Sequence, residues 1–203
     1  SQIELRVMAH LSGDDNMIEA FREGYDIHAA TAAKIYKETI DSVTRDQRTK
    51  AKRANFGIIY GITVFGLAER LEISRDEAKQ LIDGYFQTFP KVQLYMEAAK
   101  ETARQKGYAE TFFHRRRYLP DINSGNATVR NFAERNAINA PIQGSAADII
   151  KIAMIRIHEQ FHMKRLRSKM ILQVHDELNF SVVPEERDIV EQIVLTEMQN
   201  AYR

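Results

Sequence analysis

Residues 48–61, with the sequence RTKAKRANFGIIYG, space Arg48, Lys52, Phe56 and Tyr60 four positions apart. On an α-helix this spacing places the four side chains in one stripe that drifts slowly around the axis. The two cations suit a polyphosphate, and the two aromatic rings suit stacking on a base. The segment therefore predicts a helix along which a nucleoside triphosphate binds.

A plainer alternative assigns the two rings to a hydrophobic core and leaves the cations in solvent. Gly57 and Gly61 each follow one of the rings, and a glycine inside a helix costs about 1 kcal/mol. A close backbone approach would compensate that cost. Gly61 is equally suited to the C-terminal cap of the helix, so both explanations stay open from sequence.

The composition is that of a globular chain with one or two domains. Of its 203 residues, 44% are hydrophobic and 28% are charged, which is enough apolar material for a buried core. The absence of cysteine excludes disulfides and thiolate metal sites. No apolar run approaches the roughly 18 residues of a membrane span, so the sequence predicts a soluble, intracellular protein with no membrane partner.

Basic residues are clustered although the net charge is only +1. The clusters lie within residues 45–53, 115–117 and 164–169. Clustered cations favour phosphate contacts because bound counterions are released. Solvated helix ends or loops would give the same pattern, so charge alone leaves both open.

The hydrophobic pattern predicts a mixed α+β fold. Residues 1–8 alternate apolar and polar side chains and predict a half-buried strand, whereas residues 14–105 have the period of helices. Residues 108–119 predict a hairpin or an extended segment. Helical patterns resume near Ala127, and again from Ser145 to about Met163.

A second hairpin is predicted near the C-terminus. Its strands are Lys169–Val174 and Leu178–Val183, and their alternation leaves His175-Asp176-Glu177 at the tip. Pro184 then opens a final helix with acidic residues in its first turn.

Two of these segments resemble family A DNA polymerases. Residues 48–61 are similar to the nucleotide-binding helix of that family, and His175-Asp176-Glu177 is similar to its palm carboxylate motif. The resemblance runs from Ser1 to about Val183, and the last helix fits more loosely. It implies an antiparallel palm sheet with a helical fingers insertion: palm at residues 1–11, fingers at 12–116 and palm at 117–203.

The resemblance implies template-directed addition of deoxynucleotides to a primer 3′ hydroxyl, in DNA replication and repair. The implied catalytic residues are Asp176, Glu177 and Lys52, with Lys52 as proton donor to pyrophosphate. The implied dNTP-binding residues are Gln2, Glu4, His28, Arg48, Lys52, Phe56 and Tyr60. The implied DNA-binding residues are Arg135, Asn139, Gln143 and His175.

Two roles are implied in more detail. Glu4 would lie under the sugar of the incoming nucleotide and exclude a 2′ hydroxyl. Arg135, Asn139 and Gln143 would contact the minor groove, where acceptors are similar for every base pair.

The resemblance also implies two Mg²⁺ ions, one of them bound by Asp176. In the family a second aspartate lies two residues before a Ser-Gln-Ile-Glu-Leu-Arg run, which here begins at Ser1. We therefore expect this chain to lack one catalytic carboxylate, to lack thumb and exonuclease regions, and to be inactive alone. A further departure is His114, which stands where the family usually has glycine.

Primer–template DNA and deoxynucleoside triphosphates are the expected partners. A monomer in the bacterial cytoplasm, at the nucleoid, is the expected state.

Three rival interpretations remain. Residues 158–162 read HEQFH and match the H-E-x-x-H pattern of zinc proteases, although both histidines are expected on the flank of their helix. Gly61 and Gly66 have P-loop spacing, but Leu67 and Ala68 stand where lysine and serine or threonine are required. A noncatalytic nucleic-acid-binding module is the third.

Overall fold

The computed structural model describes residues 2–202, and the chain divides into two compact units, residues 2–142 and the part from residue 143 onward. The fold is rich in helix and contains two small antiparallel sheets, as the sequence predicts. The division by contacts is not the predicted division into palm and fingers, and the boundaries at 11/12 and 116/117 remain predictions. Within residues 2–202, no helix is long and apolar enough to cross a membrane.

The first unit is a block of helices followed by a hairpin, and the predicted helical character of residues 14–105 is confirmed. Its elements are α1 (Ile3–Ser12), α2 (Asp15–Arg22), α3 (Ile27–Tyr36), α4 (Arg45–Ile59), α5 (Val64–Leu71), α6 (Arg75–Thr88), α7 (Pro90–Lys106), β1 (Tyr108–Glu110), β2 (Arg116–Tyr118) and the first part of α8 (Ala127–Met163).

Short polar side chains begin most of these helices by accepting hydrogen bonds from free backbone N–H groups. Thr44 and Gln47 form a reciprocal capping box at the start of α4. Asp14 caps α2, since its Oδ1 accepts from the Met17 N–H at 3.1 Å. Its Oδ2 accepts from the Lys91 N–H at 3.0 Å, so one buried carboxylate joins the starts of α2 and α7.

The predicted first strand is wrong, because residues 3–12 form helix α1. The alternation of Ile3, Leu5 and Val7 covers too few residues to separate a strand from a helix. Leu5, Met8 and Ala9 are all buried, a set with helical spacing, and Gly13 ends the helix in the left-handed conformation. Ser1, the first residue of the predicted strand, lies outside the described residues.

The predicted hairpin of residues 108–119 is confirmed: β1 pairs antiparallel with β2. It packs against α7 and α8 through buried residues that include Ala103, Leu119 and Ala137. His114, in the turn, has a φ of +60°, a conformation that favours glycine. Its Nδ1 lies 3.0 Å from Oε1 of Glu110, so this histidine adopts the glycine-like backbone and adds a side-chain contact.

The prediction of two helices after residue 119 is wrong, because one helix, α8, runs from Ala127 to Met163. Pro141 lies inside it. Proline removes one backbone donor and costs a helix interior about 3 kcal/mol, which the rest of a long helix can tolerate.

The second unit contains the remainder of α8, strands β3 (Lys169–Val174) and β4 (Glu177–Ser181), a 3₁₀ turn at Pro184–Glu186, and α9 (Arg187–Gln199). Its core joins Ile157 and Phe161 of α8 to Val190 and Ile193 of α9, with Phe180 of β4 packed against them. The predicted second hairpin is confirmed, with a tighter turn than expected: β4 already begins at Glu177, and only His175 and Asp176 lie between the strands.

Candidate functional site

Helix α4 carries the predicted stripe along the border of its buried face. Ala51, Ala54 and Ile58 are buried, whereas Lys52 is exposed and Phe56 is half-buried. Tyr60 is the residue that caps the helix and is also half-buried. The cations and rings are therefore partly available to a ligand, and the alternative of a wholly buried aromatic pair is not what the structure shows.

Arg48 is held by Asp26 at the start of α3. Its Nε and Nη2 donate to Oδ2 of Asp26 at 3.0 and 2.6 Å. The other carboxylate oxygen accepts from the backbone N–H groups of His28 and Ala29, which makes Asp26 the cap of α3. Burial raises the pKa of Asp26, but the Arg48 and backbone hydrogen bonds outweigh it, and the net pKa is lowered.

His28 lies on α3, beside the stripe, and only 5% of it is exposed. Its ring centroid is 5.7 Å from that of Phe56. Burial, followed by the positive charges of Arg48 and Lys52, outweighs the opposing effect of Asp26 and lowers the pKa of His28 to about 4. The imidazole is therefore neutral at neutral pH.

Two further residues complete this cluster and were not predicted. Nδ2 of Asn55 lies 3.0 Å from Nδ1 of His28 and donates to Oγ1 of Thr31 at 3.2 Å. Both Asn55 and Thr31 are buried. The sequence signal that could have found Asn55 was a polar residue on the buried face of α4, because buried amides are usually hydrogen-bonded.

The lowered pKa of His28 predicts a loss of stability in acid. The unfolded histidine titrates near 6.5 and the folded one near 4, so the stabilisation is complete above about pH 6.5 and is lost as the pH falls toward 4. Urea unfolding of the chain at pH 7 and pH 5 should show an extra loss of about 2 kcal/mol relative to the His28→Gln variant. Equal losses in the two proteins would contradict a neutral, buried His28.

Glu4 and Tyr60 meet although 56 positions separate them. The Tyr60 hydroxyl donates to Oε2 of Glu4, and both side chains are half-buried. Gln2 lies immediately before α1 and is half-buried. The first helix thus presents a carboxylate, held by hydrogen bonding, to the aromatic end of the stripe.

The two glycines in residues 48–61 meet different structural requirements. A Cβ on Gly57 would lie 3.0 Å from Cγ2 of Ile62, so the chain packs closely there. Gly61 has a φ of +69°, and a Cβ on it would lie 2.9 Å from Cγ of Arg135. Gly61 therefore ends α4 in the left-handed conformation and also lies against a side chain from α8.

Helix α8 carries the three predicted DNA-contacting residues. Arg135 is exposed, and its guanidinium lies 5.7 Å from the ring centroid of Phe132. Asn139 is half-buried, and within residues 2–202 its amide oxygen has no hydrogen-bond partner. Gln143 is exposed and opens the second unit.

The carboxylate turn of the second unit is formed by His175 and Asp176. His175 has a φ of +53° and is exposed, and the Gln173 amide donates to its carbonyl at 3.0 Å. Asp176 is half-buried, and Glu177 is the exposed first residue of β4. The turn therefore holds two of the three residues predicted for it, because Glu177 already belongs to β4.

Comparison with known proteins gives the family. The sequence model of DNA polymerase family A matches residues 1–203, the whole chain. The chain belongs to DNA polymerase family A.

Curated relatives match along the same range. The DNA polymerase I of Bacillus caldotenax is 53% identical over 201 residues, covering 99% of this chain and 23% of that protein. The DNA polymerase I of Geobacillus stearothermophilus is 52% identical, again over 99% of this chain and 23% of its own length. The chain thus spans about a quarter of the length of these curated relatives.

A solved structure also matches. It is the POL domain of Pol1 from M. smegmatis in complex with DNA primer-template and dNTP, with 48% identity and a TM-score of 0.96. The match covers 100% of this chain and 36% of that one.

Family A DNA polymerases generally depend on metal ions. Within residues 2–202, no group of three or more His, Asp or Glu side chains is placed to hold a metal. Mg²⁺ is usually held by one or two carboxylates together with waters and substrate phosphates, without a complete protein cage. The partly exposed carboxylate of Asp176, with Glu177 next to it, fits that manner of binding.

The zinc-protease alternative gains no support from this family A chain. His158 and His162 are exposed, while Phe161 between them is buried, so the histidines lie on the flank of α8 as expected. The part of the chain that the structure describes supplies no third ligand to them.

Proposed function

We propose that this chain is the part of a DNA-directed DNA polymerase that binds the incoming dNTP and supplies one catalytic carboxylate. The match of the whole chain to curated DNA polymerase I proteins is the observation that carries the proposal. The cluster of His28, Arg48 and Lys52 beside the Phe56 ring supports it, because this cluster offers donors and cations for a triphosphate next to a surface for a base.

The proposed reaction is nucleotidyl transfer. The primer 3′ hydroxyl loses its proton to water and its oxygen bonds to the α-phosphorus of the dNTP. The bond from that phosphorus to the oxygen shared with the β-phosphate breaks, and pyrophosphate leaves with that oxygen. Two Mg²⁺ ions, when bound, would activate the attacking oxygen and neutralise the leaving group. Asp176 is the proposed ligand to one ion, with Glu177 beside it, and Lys52 is the proposed proton donor to pyrophosphate.

The remaining roles concern the nucleotide and the template. Arg48 and His28 contact the triphosphate, and Phe56 packs against the sugar and base. Tyr60 lies near the template base, and Glu4 with Gln2 beside it excludes a 2′ hydroxyl. The hydrogen bond from Tyr60 to Glu4 supports the last role, because it fixes the carboxylate that must meet the sugar.

Primer–template contacts are proposed for Arg135, Asn139, Gln143 and His175. Arg135 and Gln143 are exposed on α8, which supports their availability to a ligand. The monomeric state and the nucleoid location stay predictions.

The test is primer extension by a chimeric polymerase in which residues 1–203 replace the matching segment of the Geobacillus stearothermophilus enzyme. We expect this chimera to extend a primer with Mg²⁺ and all four dNTPs, and the chain alone not to extend it. Equal extension by the chain alone would mean that another carboxylate serves the second metal and that the site assignment is wrong. A chimera that binds primer–template without extending it would favour the noncatalytic binding module.

Glu4→Ala in the chimera should admit ribonucleotides. Removing the carboxylate opens space for a 2′ hydroxyl, and we expect the preference for dNTP over rNTP, measured as a ratio of kcat/KM, to fall about 10- to 100-fold. Glu23→Ala removes an exposed carboxylate from the end of α2 and is the matched control. Unchanged sugar discrimination in Glu4→Ala would rule out the gate assignment.

A further inference from the structure

We infer that Asn55 is a positioning residue that fixes His28 as a neutral imidazole with its proton on Nε2, so that His28 offers a hydrogen-bond donor to a phosphate oxygen. The tautomer follows from the hydrogen bonds of the free protein. The ligand rests on the proposed function.

The argument starts at Thr31. Its hydroxyl donates to the carbonyl of Ile27 at 2.7 Å, which uses its one hydrogen. Toward Asn55, 3.2 Å away, the hydroxyl oxygen can therefore only accept. The Asn55 side chain must present its NH₂ group on that side, because an amide oxygen there would place two acceptors against each other.

The same NH₂ group meets His28. Nδ2 of Asn55 lies 3.0 Å from Nδ1 of His28, and an amide nitrogen only donates. Nδ1 is therefore the acceptor and carries no proton. A neutral imidazole has one proton, which this arrangement places on Nε2.

The other side of the amide carries the cost of this orientation. Within residues 2–202, Oδ1 of Asn55 is buried and without a hydrogen-bond partner, an arrangement that folded proteins rarely keep without a reason. Turning the amide over would let that oxygen accept from an Nδ1–H of His28, but it would also place it 3.2 Å from the Thr31 oxygen, whose hydrogen already goes to Ile27, so two acceptors would face each other. The unpaired oxygen is the cost of directing both N–H bonds to His28 and Thr31.

Charge explains why a neutral donor suits this place. Arg48 and Lys52 both act on His28 as positive charges, and Asp26 is the opposing carboxylate. A third cation would be repelled by Arg48 and Lys52, whereas a neutral N–H donor adds a directional contact without that repulsion. Within residues 2–202, Nε2 of His28 forms no hydrogen bond. Nε2 is also not fully enclosed by protein, so it remains open to a ligand.

The experiment measures ring ¹⁵N chemical shifts of His28 in the labelled 203-residue chain at pH 7.5, with the His28→Gln variant used for assignment. We expect a protonated Nε2 and an unprotonated Nδ1, and a shift of the Nε2 signal on addition of dATP. A proton on Nδ1 would overturn the inference. Failure of the wild-type chain to bind dATP would instead contradict the proposed function and the ligand half of the inference, with the tautomer still read from the free protein.

Thr31→Val tests the argument without changing either Asn55 or His28. This variant keeps the side-chain shape but removes the acceptor that orients the amide. We therefore expect the fraction of His28 with its proton on Nδ1 to rise from under about a tenth until the two tautomers are similarly populated. Thr49→Val on α4 is the control, because its hydroxyl makes the same bond to a carbonyl four residues earlier, at 2.8 Å, on an exposed surface. A Thr31→Val protein with the tautomer of the Thr49→Val control would show that Asn55 does not orient His28 in this way.

Discussion

Asp176→Asn in the chimera is expected to abolish primer extension, with a fall in kcat of at least about 10³-fold. The amide keeps the shape of the hairpin turn but removes the negative charge proposed to hold a divalent cation. Metal ions contribute several kcal/mol of transition-state stabilisation in phosphoryl transfer, and each 1.4 kcal/mol is about tenfold in rate. Single-turnover extension of a labelled primer by one nucleotide measures the change directly.

The control for this variant is Glu191→Gln, which removes an exposed carboxylate from α9 in the same unit. We expect it to extend primers at nearly the original rate. Activity in Asp176→Asn within about tenfold of the control would show that Asp176 is not the metal ligand.

Lys52→Ala should lower kcat by about 10²- to 10⁴-fold while changing the affinity for primer–template less than about threefold. Lys52 is exposed and makes no hydrogen bond or ion pair within residues 2–202, so its loss costs the fold little. The proposed role of Lys52 is to donate a proton to pyrophosphate during the chemical step. Single-turnover rates and fluorescence anisotropy of labelled DNA separate the two effects.

Lys34→Ala removes an equal charge from an exposed position in the last turn of α3 and serves as the comparison. Salt-screened attraction of DNA would weaken similarly in both variants, but only Lys52→Ala should slow chemistry. Equal losses of rate and DNA affinity in Lys52→Ala would identify Lys52 as a simple phosphate contact.

The sequence was most informative where a pattern repeated over many residues. The helices of residues 14–105 and the two hairpins follow from local periodicity, capping residues and turn residues, and these predictions are confirmed. The strand predicted for residues 1–8 is wrong because three alternating apolar side chains fit the period of a helix as well as that of a strand. Burial of Met8 and Ala9 in the tertiary structure favours the helix. The helical patterns predicted near Ala127 and from Ser145 belong to one helix, α8, which continues through Pro141.

The candidate site also contains residues that local spacing predicts and residues that it does not. Arg48, Lys52, Phe56 and Tyr60 could be selected from their spacing, since they share one helix. Asp26, Thr31 and Asn55 could not be paired with their partners from sequence, because their hydrogen bonds join α3 to α4 across more than 20 positions. Such bonds depend on how two helices pack, which periodicity does not encode.

The pairing of Asp26 with Arg48 means that the proposed triphosphate site contains an anion of its own. Both side chains are about two-fifths exposed, and such an ion pair contributes only about 0–1 kcal/mol, so a ligand can exchange with the carboxylate at little cost. A ligand with a single phosphate replaces one negative charge by another of similar size and gains little at Arg48. A triphosphate bound as proposed would also bring negative charge to Lys52, and it would gain more. If the triphosphate binds here as proposed, the Asp26 carboxylate gives nucleotides with several phosphates an advantage over a monophosphate at this site.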